Sequence, residues 1–147
     1  MSIDRGLERT SQITIGSKDI NLNGCLRDAG YKRYFEKEHA AFLEEREITA
    51  KSLRELSEVH LLLDDYNQFD HTVDARDGDI VQMHTQLEEI YGDAIVFNQR
   101  MNSGDDTLLV CVAKPRLVVL RVGSNEKIQL PKFLSNALES YVAPYKF

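Results

Sequence analysis

The chain has 147 residues, 42% of them hydrophobic and 29% charged, which suits one compact domain and excludes collagen-like, low-complexity and wholly disordered chains. Its 18 Lys and Arg stand against 24 Asp and Glu, a formal net charge of -6, so the chain as a whole does not seek phosphate backbones. No window approaches 18 consecutive apolar residues, and the opening Met-Ser-Ile-Asp-Arg has no apolar export segment; a cytoplasmic protein with no membrane contact is expected, with Cys25 and Cys111 as free thiols.

Residues 1–30 read as an N-terminal arm or short hairpin, with Ile13 and Ile15 alternating ahead of Gly16-Ser17-Lys18-Asp19, then Ile20 and Leu22 ahead of Asn23-Gly24. From Tyr31 to Tyr66 the chain has no Gly or Pro and is rich in Glu, Lys, Arg, Leu and Ala, which predicts helices over about 31–47 and 50–66, or one bent helix. Thr49 can cap the second, with Ile48 and Leu53 as a hydrophobic staple, while Ser52 and Glu55 offer an alternative box. Phe35, Phe42, Thr49, Leu56 and Leu63 recur every seven residues, with Val59 and Tyr66 alongside, a stripe that must pack against something. After a polar connection, Ile80, Met83, His84, Leu87, Ile90 and Tyr91 fall at helical spacing up to Gly92.

The pattern then changes to runs around 94–97, 107–113, 117–122 and 127–130 with turn formers between them, which predicts an antiparallel meander. Pro131 can open a last helix with Leu134, Ala137, Leu138, Tyr141 and Val142 on one face. The fold class expected is therefore α+β, with N-terminal helices followed by a four-stranded antiparallel meander and a C-terminal helix. Residues 31–147 read as a single domain, helices over 31–91 and the sheet and last helix over 93–143. The two middle strands are apolar on both faces, so each face needs a cover.

Candidate chemistry is sparse. Asp64, Asp65, Asp70, Asp74, Asp77 and Asp79 crowd one stretch, but placing Gly78 at the sixth position of a calcium loop puts Val73 and Ala75 where ligands belong. Of four histidines, His39, His60, His71 and His84, the last stands with Glu88 at the i, i+4 spacing that puts two ligands on one helix face, and two ligands are not a metal site. No nucleophile elbow, phosphate loop or dinucleotide fingerprint occurs. The sequence thus assigns no catalytic, cofactor-binding or metal residue and no cofactor. It predicts a small acidic protein that works through protein–protein contact as an adaptor, regulator or chaperone-like partner. Such a protein is expected to be non-enzymatic and a homodimer, with Leu56, Val59, Leu63 and Tyr66 as the interaction surface and the partner's identity open.

One alternative is a helix-turn-helix regulator using residues 42–56, with Lys51 and Arg54 on its second helix; Glu44, Glu45, Glu55 and Glu58 in the same segment would repel phosphates, which makes nucleic acid an unfavoured partner. A second is a degenerate or metal-dependent hydrolase or nuclease, suggested by Asp105-Asp106 ahead of a strand ending Val112-Ala113-Lys114. There Val112 stands where such a site needs a carboxylate.

Overall fold

The computed structural model describes residues 8–68 and 72–144. Residues 1–7 of the expected arm, and Phe69, Asp70 and His71 of the expected connection, lie outside them. Glu8–Thr14 form strand β1, which pairs antiparallel with β3 (Ile80–Ile90) from Glu8 opposite Gln86 to Thr14 opposite Ile80. Residues 8–14 of the expected arm are thus an integral sheet strand.

The long helix α1 spans Asp28–Glu44. Asp28 complements the helix dipole in its first turn, and Tyr31, Phe35, Glu38, His39 and Phe42 form a buried face at helical spacing. After a left-handed residue at Glu47 (φ 62°), Thr49 caps α2 (Ala50–Ser57): its side chain accepts from the Ser52 backbone N–H, and the Ser52 hydroxyl accepts from the Thr49 N–H. Ile48 and Leu53, read as the staple, are both buried.

The second helix ends earlier than its composition suggested. Glu58 takes a left-handed conformation (φ 55°, ψ 40°), and Val59–Asp65 continue as strand β2, paired with β6 (Arg116–Arg121). Helix 50–66 is therefore corrected to an eight-residue helix and a strand, and the expected helix over 80–91 to strand β3. The sheet has seven strands, not four: β4 (Ala94–Ser103), β5 (Leu109–Ala113) and β7 (Lys127–Ile128) complete it. Its order is β1-β3-β4-β6-β2, with β5 also on β4 and β7 on β6. The last helix, α3 (Lys132–Glu139), starts just after Pro131.

Alternation along the strands puts Met83, Leu87, Phe97 and Met101 on the face that meets α1. Two buried clusters share that face: Phe42, Leu53, Ile95, Phe97, Leu134 and Leu138 in one, and Ile15, Tyr31, Phe35, Met83, Met101 and Cys111 in the other. Helix α1 spans both. A polar tie holds it at the middle, where the Gln99 side-chain amide donates to the Phe35 carbonyl and to the Thr85 hydroxyl, each at 3.0 Å. At one side, Glu38 accepts from the Ser11 hydroxyl at 2.5 Å and is paired with Arg9, both on β1. Cys25 and Cys111 are free, the second buried. Among the described residues no helix is long and apolar enough to cross a membrane.

Candidate active site

Two cavities flank the sheet, and their linings differ. The polar one, of about 190 Å³, is lined by Glu8, His84, Arg100, Asn102 and Asp106. It lies on the face away from α1, because His84 alternates with the inward Met83. Four of these residues are linked by hydrogen bonds: His84 Nδ1 lies 2.6 Å from Glu8, His84 Nε2 lies 2.9 Å from Asp106, and the Asn102 amide donates to Asp106 at 2.8 Å. These hydrogen bonds hold the Asp106 carboxyl below the usual carboxylate range.

The other cavity, of about 300 Å³, opens between the C-terminal half of α1, helix α2 and the β2–β6 edge of the sheet. Leu43, Ile48, Leu53, Leu61 and Leu117 make it apolar, and Ala40, Glu44, Thr49 and Ala50 also line it. These residues converge because the α1–α2 turn folds back at Glu47 and the capping box directs α2 across β2. His60 contributes from β2, but Leu61 points inward among the apolar cluster, so alternation turns the His60 ring to the opposite face.

His39 is a buried polar group of this cavity. Only 6% of it is exposed, its ring stacks on Phe97 at 5.4 Å with planes 17° apart, and neither ring nitrogen has a hydrogen-bond partner. Burial pushes its pKa down from the ordinary 6.5 to about 4, so the imidazole is neutral at physiological pH. Glu44, five residues on and exposed, places a carboxylate in the same lining. Among the described residues no three His, Cys, Asp or Glu side chains are arranged to hold a metal ion.

The residues singled out from the sequence do not come together here. Leu56 is 67% exposed on α2, Val59 is buried at the start of β2, Leu63 is half-buried on β2, and Tyr66 packs toward the second cluster with its ring 6.3 Å from Phe35. The helical seam they were expected to form does not exist, because three of the four lie beyond the end of α2. Segment 42–56 is not a free helix-turn-helix: Phe42, Leu43, Ile48 and Leu53 are buried against the sheet. The nuclease-like residues also separate, Asp106 meeting His84 while Lys114 pairs with Glu88 at 3.2 Å. His39 was visible only as one of four histidines; its signal was its place on the Phe35–Phe42 stripe, four residues after one ring and three before the other.

A long helix laid across a large antiparallel sheet, with three α-helices in all among the described residues, is the hotdog thioesterase-like fold. Residues 15–138 match the Thioesterase-like superfamily, and the chain belongs to it. The chain is 24% identical over 115 residues to the acyl-CoA thioesterase YbgC of Haemophilus influenzae, covering 78% of this chain and 82% of that protein. Among solved structures it resembles Slr0204, a 1,4-dihydroxy-2-naphthoyl-CoA thioesterase from Synechocystis (TM-score 0.80, 13% identity, 93% of this chain and 99% of that one). It also resembles YbaW, a probable thioesterase from Escherichia coli (TM-score 0.73, 16% identity, 91% and 98%). At these identities the structural likeness is one of fold. Family membership overturns the expectation of a non-enzymatic adaptor, regulator or chaperone-like protein, and with it the helix-turn-helix alternative: the chain is built on an enzyme scaffold.

Proposed function

We propose that the chain hydrolyses an acyl thioester, with the acyl group seated in the cavity between α1, α2 and the β2–β6 edge. The observation that carries the reading is the family match over residues 15–138, and both a curated relative and a structural neighbour are thioesterases of acyl-CoA compounds. The cavity adds chemistry of its own. Its apolar wall suits an acyl chain, and its roughly 300 Å³ has room for on the order of ten non-hydrogen atoms at about 30 Å³ each. Glu44 is the general base of this reading: it takes a proton from water as the water oxygen attacks the thioester carbonyl carbon. The C–S bond then breaks, and the thiolate leaves with that proton to give a free thiol and a carboxylic acid.

Release of free thiol from CoA thioesters that differ only in acyl length tests this. Compact acyl groups should turn over, longer ones should fall away, and Glu44→Gln should lose about 100-fold in kcat. No release above the spontaneous rate from any member of the series would refute it.

We further propose that two copies associate along β2. That strand ends the sheet, paired only with β6 among the described residues, and it carries Leu62, 50% exposed; a free edge with an apolar side chain favours pairing with another strand.

A further inference from the structure

His39 is one of several buried side chains with polar atoms that lack a hydrogen-bond partner, Gln86 and His60 among them, and it is the one that lines the apolar cavity from α1 with both ring nitrogens unmet. Its neighbour Glu38 is engaged by Arg9 and Ser11, and Gln99 donates to Phe35 and Thr85, whereas both His39 ring nitrogens are buried without a partner. Leu43, Leu53, Leu61 and Leu117 around the cavity can offer it none. A buried polar group in that condition lowers the stability of the fold, and a leucine in its place would not. The stack on Phe97 fixes the plane of the ring, so its nitrogens have a set direction without having an acceptor or donor to meet. A residue that weakens the empty protein while lining a cavity is one whose partner arrives with the ligand.

We propose that His39 is the hydrogen-bonding residue of the acyl site and meets an oxygen atom of the bound acyl group. The inference rests on the reading of this cavity as the acyl site. Because burial holds the imidazole neutral, it offers one N–H donor and one acceptor nitrogen. The N–H can donate to a carbonyl oxygen, and a hydroxyl can be met by either nitrogen. The oxygen can be that of the thioester carbonyl or one carried further along the acyl chain, and the same chemistry recognises both.

Calorimetric binding of three non-hydrolysable CoA derivatives to the full chain tests the role: a plain alkyl thioether without oxygen in the acyl portion, the matching ketone that restores the carbonyl, and the matching thioether with a hydroxyl on the chain. The wild-type protein should bind at least one oxygen-bearing derivative about 3–10-fold more tightly than the plain thioether, the range one neutral hydrogen bond supplies. Preference for the ketone assigns the carbonyl, and preference for the hydroxyl assigns a substituent. His39→Leu should bind all three alike and unfold at a higher temperature, while His39→Gln should keep part of the preference. Equal binding of the three by the wild-type protein, or a preference that survives in His39→Leu, overturns the role of His39 even if thioesters are hydrolysed. Absence of binding by any of them, together with absence of hydrolysis, overturns the acyl site itself and the inference with it.

Discussion

His39 makes the stability of the chain depend on pH in a direction its burial dictates. In the folded protein its pKa is about 4 against an ordinary 6.5, so between these values the unfolded chain binds a proton that the folded one refuses. Its neutral burial therefore costs nothing in charge above pH 6.5, and stability is lost as pH falls from 6.5 toward 4. By about pH 4.5 the loss is about 2 to 3 kcal/mol. Urea denaturation should show this acid loss in the wild-type protein and a flatter dependence in His39→Leu; an equal slope in both would place the acid sensitivity elsewhere. Single residues were readable in the sequence where local chemistry decides them, as with the Thr49 cap and its Ile48 and Leu53 staple. The same sequence gives no sign that His39 is unpartnered, because that depends on what Phe97, 58 positions away in the chain, places against it.

Elements were less legible, and the failures have physical causes. No Gly or Pro marks the end of α2, since Glu58 itself adopts the left-handed turn, so the run Val59 to Leu63 continued a helical pattern on paper. In β3 a register shift between Leu87 and Glu89 breaks the two-residue period, and Ile90 then falls in step with Met83 and Leu87 as it would on a helix. Pairing with β1 on one side and β4 on the other overrides that local preference. The corrected β2 also changes where association is sought. Sedimentation at about 100 μM, far above the dissociation constant of a stable interface, should find a dimer, and Leu62→Glu should shift it toward monomer. A wild-type chain that stays monomeric there contradicts pairing along β2.

At the scale of the whole molecule, the mixing of helices with an antiparallel sheet was legible, but the sheet has seven strands where four were expected. The topology was not legible, because β1 joins β3 and β2 joins β6 across stretches of chain that carry no local signal of either pairing. The candidate site inherits that limit: Leu43, Leu53, Leu61 and Leu117 line one cavity only once α1, α2 and the β2–β6 edge have assembled. The claim that the acyl group occupies that cavity is tested most directly by filling it from the exposed Ala40 on its wall. Ala40→Trp should lower kcat/KM for a compact acyl-CoA by at least about 10-fold while the thermal midpoint stays within about 2 °C of wild type. A folded Ala40→Trp protein with unchanged kcat/KM would contradict the account.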